Sequence, residues 1–304
     1  MNSPQFTRGK LNVYRGPDEV AKVTAALRAV GRKVALVPTM GALHAGHREL
    51  VRRAKRLPNT VVVASVFVNP LQFGEGEDFE AYPRSLDRDL EVLEDMGVDI
   101  AFTPGTEDLY ADGASVTVAP GPLGAVLEGA ARPGHFEGVL TVVAKLFNIV
   151  RPHHALFGEK DYQQLVLIKR MVRDLNIDTR VIGIPTVREH DGLALSSRNA
   201  YLTPEQREQA VVLSAALTAG AHSGINGSDA VLAAARSTLA AQPEVDVDYL
   251  ELRGTDLGEV PIDGEARLVI AARIGDTRLI DNVAVLLGVA AERGLERSTE
   301  DAGV

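Results

Sequence analysis

The sequence predicts an α/β protein: a parallel sheet with helices on both faces, followed by a smaller C-terminal α+β domain with an antiparallel sheet. Three observations predict it. The first half of the 304-residue chain alternates apolar, β-rich runs with helical spacing. One of those runs, Thr60–Val68, is apolar almost throughout, as expected of a central parallel strand covered on both faces. The last third instead holds three strand-like runs close together with no crossover helix, a pattern of antiparallel pairing. The sheet of the first part is therefore expected to be Rossmann-like.

In chain order, Val34–Val37 reads as a strand, and the segment His47–Lys55 as the helix after it. Thr60–Val68 is the next strand, Leu86–Met96 a helix stopped by Gly97, and Asp99–Phe102 a further strand. Gly138–Val150 is an apolar helix ended at Arg151-Pro152. His154–Phe157 is a short strand, Asp161–Leu175 a helix and Thr179–Ile184 a strand. Val187–Glu189 and Leu193–Ser196, around the turn residues Asp191-Gly192, form a hairpin. Thr203-Pro204-Glu205-Gln206 starts a helix, with Thr as cap, Pro at the first position and Gln at the third. A second helix starts near Ser228, and the strands Val247–Leu252, Ala266–Ile274 and Thr277–Val285 follow. The expected domains are residues 1–184 and 185–290, with a disordered polar tail over 291–304.

Composition excludes several classes of function. A net charge of −9 opposes nucleic-acid and anionic-membrane partners, which need basic surfaces, but leaves room for a nucleotide held by a few local cations. With no cysteine there is no disulfide, thiolate catalyst or Cys-ligated zinc, and a reducing, cytoplasmic location is expected. The polar N-terminus lacks the apolar stretch of a secretory signal, and no run is long enough to span a bilayer.

Chemistry concentrates at His44-Ala45-Gly46-His47, where a strand and a Gly turn give way to a helix. Unpaired backbone N–H groups at a helix start attract an anion, and two imidazoles one turn apart add donors, so the pattern suits a polyphosphate. The competing readings are two surface histidines at a helix start, one core histidine with a bystander, and a metal site. Gly46, which lets another group approach the backbone closely, opposes the first two, and the lack of a third ligand opposes the metal. Asn69-Pro70-Leu71-Gln72 follows the strongest strand and offers two amides for a small polar molecule. Gly158-Glu159-Lys160-Asp161-Tyr162-Gln163-Gln164 follows another strand, with a mobile cation, a helix cap and an amide one turn on. Leu195-Ser196-Ser197-Arg198-Asn199 supplies hydroxyls and a guanidinium suited to phosphate. Taken singly, each of these three also reads as an ordinary polar loop. Glu128, Arg132 and His135 stand in a Gly-rich loop that could line the mouth of a site. Asp87 and Asp89 flank Arg88 and read either as water-mediated magnesium ligands or as a solvated helix face. There is no P-loop and no Gly-x-Gly-x-x-Gly after a strand.

From about Leu11 to Leu287 the chain resembles the pantothenate synthetase (pantoate–β-alanine ligase) family. The resemblance is carried by four ordered blocks, Val37–His47, Phe67–Phe73, Phe157–Gln164 and Leu195–Asn199. The first is that family's version of the His-x-Gly-His signature of nucleotidyltransferases and class I aminoacyl-tRNA synthetases. It implies ATP-dependent condensation of (R)-pantoate with β-alanine through a pantoyl adenylate, with release of pyrophosphate and AMP, Mg2+ accompanying ATP, and a homodimer.

Residue by residue, the resemblance puts His44 and His47 on the phosphates and the backbone from Met40 through Gly41 and Gly46 beside ATP. Lys160, with Ser196, Ser197 and Arg198, neutralises or holds phosphate; Gly158 and Asp161 bind the ribose, Val187 the adenine through its backbone, and Glu159 and Leu195 also border ATP. Gln72, Gln164 and Asn69 hold pantoate, and a mobile loop from Gly74 to Arg84 brings Tyr82 inward. Asp89 is the candidate metal ligand, although Arg88 opposes direct ligation there. A plain nucleotidyltransferase and a non-catalytic nucleotide sensor share the His pair and stay open, and a metal-dependent hydrolase is a further alternative.

Overall fold

The computed structural model describes residues 5–288 except 75, 78, 81, 83 and 112. The tail expected from residue 291 lies outside the described residues. The chain divides into two compact units, Met1–Glu159 with Gln163–Pro185, and Lys160–Tyr162 with Thr186–Val304. The second unit thus takes three residues from within the span of the first as well as the C-terminal part.

In the first unit the strands are β1 (Asn12–Tyr14), β2 (Lys33–Thr39), β3 (Thr60–Val66), β4 (Ile100–Phe102), β5 (His154–Gly158) and β6 (Arg180–Ile184). Among the described residues they form one sheet in the order β1-β4-β3-β2-β5-β6, every pairing parallel. The main helices are α1 (Pro17–Ala29), α2 (Ala45–Lys55), α3 (Leu86–Asp95), the single turns α4 (Thr106–Leu109) and α5 (Glu128–Ala131), then α6 (His135–Val150) and α7 (Tyr162–Asp174). Alternation along the strands sorts their apolar side chains onto two faces. Ala35, Val37, Val62 and Ala64 pack against Leu50, Val51 and Ala54 of α2 and Leu93 of α3.

Three features were not anticipated or are shifted. Strand β1 is only three residues long, and its buried–exposed–buried alternation about Val13, 45% exposed, is too brief to read from sequence. Helix α1 has Pro at its start and Asp18 and Glu19 in its first turn, with Glu19 Oε2 accepting from Gly16 N at 3.1 Å. The Gly-Pro-Asp-Glu string was its readable start signal. Helix α2 begins at Ala45 and α6 at His135, two and three residues ahead of the expected starts. Helix α6 can sit tightly on the 3-10 turn Pro70–Gln72 because residue 138 is glycine: a Cβ there would be 2.1 Å from the Leu71 carbonyl oxygen.

In the second unit, α8 (Pro204–His222) and α9 (Ser228–Leu239) pack on an antiparallel sheet of β7 (Asp246–Gly254), β8 (Gly264–Ile274) and β9 (Thr277–Leu287). Thr203 caps α8 as its sequence predicts: its Oγ1 accepts from Gln206 N at 3.3 Å, and Gln206 Oε1 accepts from Thr203 N at 3.0 Å. The expected hairpin exists as a single bridge, Arg188↔Ala194, extended by Leu195 N donating to Val187 O at 2.9 Å.

Candidate active site

Strand order in the first sheet reverses at β2, which lies between β3 and β5. In an open α/β sheet, ligands bind beyond the carboxyl ends of the strands at such a reversal. The turn after β2 and the end of β5 therefore define the rim of interest. Thr39 anchors the turn, donating Oγ1–H to Ser65 O at 2.8 Å while Oγ1 accepts from Gly41 N at 3.3 Å. Gly41 (φ +89°) and Ala42 (φ +50°) then lie in succession in the left-handed region. Asp89 of α3 holds this turn, its Oδ2 accepting from Ala42 N at 3.0 Å and its Oδ1 from Leu43 N at 2.8 Å.

The two histidines cap α2 reciprocally. His44 Nδ1 accepts from Gly46 N at 3.1 Å, and His47 Nδ1 accepts from His44 N at 3.3 Å. Each bond needs a lone pair on Nδ1, so the neutral ring with its proton on Nε2 is the form these contacts select in both cases. The ring centroids are 4.1 Å apart. Gly46 allows a close approach, as its sequence context implied, but the approaching group is His44 itself: a Cβ at 46 would lie 2.8 Å from His44 Cε1. Both Nε2–H donors thus belong to rings fixed at a helix N-terminus, the end whose backbone charge favours an anion.

The amides after β3 divide into two kinds. Asn69 is 1% exposed and fully engaged by the protein. Its Nδ2 donates to Gln72 Oε1 (3.2 Å) and Gly138 O (3.1 Å), and its Oδ1 accepts from the Tyr110 hydroxyl (3.0 Å) and Leu71 N (3.4 Å). Asn69 therefore orients Gln72. Burial pushes the Tyr110 hydroxyl up to about 12, which keeps it a donor. Gln72 donates Nε2–H to the Met40 sulfur at 2.9 Å, joining the amide loop to the turn after β2.

Arg132 and His135 brace the same loop. Arg132 pairs with both Glu77 oxygens at 2.7 and 2.6 Å, and its NH1 donates to His135 Nε2 at 3.1 Å. His135 Nδ1–H then donates to Gln72 O at 2.8 Å. Burial pushes the Glu77 carboxyl up, but hydrogen bonds and charge from Arg132 outweigh it and leave the group below its ordinary value. Glu128 is buried, its N–H donating to Gln163 Oε1 at 3.0 Å. Tyr82 is 6% exposed with its ring edge-on to Phe73. Four neighbours of Tyr82 in the expected mobile loop, residues 75, 78, 81 and 83, lie outside the described residues.

At the end of β5, a Cβ on Gly158 would meet nothing within 4 Å, so the backbone there is open to approach. Glu159 packs along β6, its Oε1 2.9 Å from the place of a Gly183 Cβ. Of the paired amides on α7, Gln163 is buried and donates to Leu123 O and Val126 O at 2.8 Å, while Gln164 is half-buried.

The remaining candidates lie in the second unit. Lys160 Nζ is 3.7 Å from Asp161 Oδ1, and Lys160 O accepts from Asn282 Nδ2 at 2.9 Å. Arg267, only 8% exposed, stacks 4.0 Å over the Tyr162 ring and donates to Asn282 Oδ1 at 2.7 Å. The segment Lys160–Tyr162 is thus set by β8 and β9. Arg188 grips Asp281 through two bonds of 2.6 and 2.9 Å, fixing the hairpin to β9. The Val187 carbonyl accepts from Leu195 N, and Ser196 Oγ accepts from Arg198 N at 3.3 Å, so Val187, Leu195, Ser196, Ser197 and Arg198 share one braced loop and 3-10 turn. Arg267, Asn282, Arg188 and Asp281 had no local signal in the sequence, since each acts on residues far away in the chain.

Among the described residues no group of three or more His, Cys, Asp or Glu is arranged to hold a metal ion. Asp89 does not fit the role of a direct magnesium ligand: it is 3% exposed, not on a solvated face, and both its oxygens face backbone N–H groups, which repel a cation.

Comparison with known proteins identifies the family. The family model described as pantoate-beta-alanine ligase matches residues 12–284. A pantothenate synthetase from Saccharopolyspora erythraea is 64% identical over 285 residues, covering 94% of each chain. That from Mycolicibacterium smegmatis is 60% identical over 289 residues, covering 95% of this chain and 92% of its own. Among solved structures, pantothenate synthetase from Thermus thermophilus superposes with a TM-score of 0.81 at 49% identity, covering 91% of this chain and 99% of its own. The Francisella tularensis pantoate-beta-alanine ligase, complexed with beta-gamma ATP and beta-alanine, gives 0.74 at 36% identity, over 89% and 96%. With the family model spanning both units and relatives this close along nearly the whole length, the chain is an enzyme of the pantoate–β-alanine ligase family.

Proposed function

We propose that this chain condenses (R)-pantoate with β-alanine at the expense of ATP, making pantothenate for coenzyme A biosynthesis. The observation that carries the chemistry is the reciprocal cap at the start of α2, which fixes the tautomer of both His44 and His47. A pantoate carboxylate oxygen attacks the α-phosphorus of ATP, the bond to the bridging oxygen breaks, and pyrophosphate leaves. The amine of β-alanine then attacks the acyl carbon of the pantoyl adenylate, loses a proton, and AMP departs. Neither step needs a protein nucleophile, so the protein's work is positioning and charge stabilisation. His44 and His47 donate Nε2–H to phosphate oxygens as negative charge shifts toward the leaving group. Lys160, Ser196, Ser197 and Arg198 supply further donors, while Met40, Gly41, Gly46, Gly158, Glu159, Asp161, Val187 and Leu195 border the nucleotide. Gln72, oriented by Asn69, and Gln164 hold the hydroxy acid, with Tyr82 flanking them.

Mg2+ enters as the complex with ATP, ligated by phosphate oxygens and water. No helix among the described residues is long and apolar enough to cross a membrane, and the acidic, cysteine-free composition accords with a cytoplasmic enzyme without nucleic-acid or membrane partners. A homodimer is the expected assembly. The test mixes protein with MgATP and (R)-pantoate, with and without β-alanine, and assays pyrophosphate, AMP and pantothenate. AMP and pantothenate should appear together and only with β-alanine. Release of a stable adenylylated product would identify a nucleotidyltransferase instead, and ATP left intact throughout would identify a sensor.

A further inference from the structure

We infer that Asp89 is a positioning residue for the adenylation step, acting through the turn that aims His44 and His47, and not a ligand of magnesium. The inference rests on the reading of the His pair as the phosphate contact. Asp87, Arg88 and Asp89 occupy the first turn of α3, yet they part company in space. Asp87 and Arg88 are exposed, whereas Asp89 is 3% exposed and points at the turn after β2. A carboxylate is placed there for a reason that geometry makes plain. Gly41 and Ala42 are consecutive left-handed residues, a backbone that turns its N–H groups to one side and that Ala42 adopts only under constraint. Asp89 collects the N–H groups of Ala42 and Leu43, one on each oxygen, at 3.0 and 2.8 Å. Such charge-assisted bonds fix both distance and direction. The next N–H along the chain, that of His44, is the donor to His47 Nδ1. One unbroken run of backbone donors therefore links Asp89 to the ring orientation of His47 and to the backbone from which the His44 ring projects.

Room for a cation is lacking at the same point. Asp89 is only 3% exposed, and each of its oxygens already accepts a backbone N–H, at 3.0 and 2.8 Å. Mg2+ keeps several waters and near-octahedral geometry, for which these contacts leave no place.

The test is Asp89→Asn, which keeps the shape but faces one backbone N–H with its own NH2. Three quantities are measured: pantoate-dependent exchange of pyrophosphate into ATP, aminolysis of supplied pantoyl adenylate by β-alanine, and thermal unfolding. Exchange should fall about 100-fold, the cost of misplacing a contact by around 1 Å, while aminolysis stays within about threefold. The magnesium dependence of exchange should not move. In a His47→Asn background, Asp89→Asn should remove less than about threefold more, because both act on one contact. Equal falls in the two half-reactions would reduce Asp89 to a residue of the fold, and recovery of exchange at higher Mg2+ would make it a metal ligand; either overturns the inference. Full exchange in Asp89→Asn with exchange lost in His47→Asn overturns the inference alone, whereas full exchange in His47→Asn removes the reading of the His pair beneath it. If Asp89→Asn does not fold, Gly41→Ala strains the same contact from the other side and is read in the same way.

Discussion

The turn Gly41–His47 and the loop Val187–Arg198, both proposed to hold ATP, are stiffened by opposite means. In the first, side-chain lone pairs gather backbone N–H groups: the Asp89 carboxylate takes two, and His44 and His47 Nδ1 take one each. In the second, where Asp191 Oδ1 and Ser196 Oγ also take one backbone N–H each, the main ties are between side-chain charges: Arg188 with Asp281, and Arg207 with Glu189 and Asp191. The first device fixes where the backbone runs and which nitrogen of each imidazole keeps its proton. The second fixes a loop to its own unit through charges, of which those around Arg207 compete with solvent and salt. A lone-pair brace therefore belongs where donor direction matters to chemistry, and an ion-pair brace where a loop needs a mooring.

The largest expected effect breaks the first brace at its functional end. His47→Asn retains an acceptor within reach of His44 N but removes the Nε2–H donor. Loss of one preorganised donor of this kind costs about 10²–10³ in rate, so pantoate-dependent exchange should fall by that factor with unfolding temperature nearly unchanged. A rate within threefold of the parent would show that His47 caps the helix and does no more.

The next effect is on stability and concerns the second brace. Arg188→Met keeps the stem but leaves Asp281, only 4% exposed, without its cation. An uncompensated buried charge of this kind costs about 3 kcal/mol, which calorimetry should register as a lowered unfolding transition. The same substitution together with Asp281→Asn should recover most of that loss, since the penalty lies in the stranded charge. If the double variant is as unstable as the single, the pair's contribution is packing of the arginine stem against the hairpin.

The contrast also explains what was legible in the sequence. Strands β2, β3 and β5 are apolar runs whose burial is written residue by residue, and the α8 cap is written within four residues at Thr203–Gln206. The His pair was legible because both members and their glycine are contiguous. The braces were not. Asp89 meets the turn from 46 and 47 residues away, and Asn282 meets Lys160 from 122 away, separations that leave no periodicity or spacing to read. Asn69 and Gln72 illustrate the same limit at close range. Both are amides on one loop, and only the positions of Gly138 and Tyr110 decide that Asn69 is consumed internally while Gln72 is the one it orients.

The smallest expected effect sharpens the comparison without changing a residue. The more accessible ion pairs of the second brace, those of Arg207, weaken as the screening length falls from about 10 Å near 0.1 M salt to about 3 Å near 1 M, whereas carboxylate and imidazole bonds to backbone N–H groups in a half-buried turn hardly respond. Hydrogen exchange of peptides covering residues 187–198 should quicken several-fold across that range, and that of peptides covering 41–47 should stay level. Acid gives the matching signature. Hydrogen bonds from Arg207 hold the Asp191 carboxyl below its ordinary value of 3.8, against the opposing effect of its slight burial. A carboxyl whose value is lowered on folding contributes stability above its unfolded value and loses it as pH falls through the folded one. The hairpin should therefore keep its protection down to about pH 3.8 and lose the Asp191 share of it only below that. Salt sensitivity appearing instead in residues 41–47 would mean that the first brace is also an ion-pair device, and the distinction between the two loops would be withdrawn.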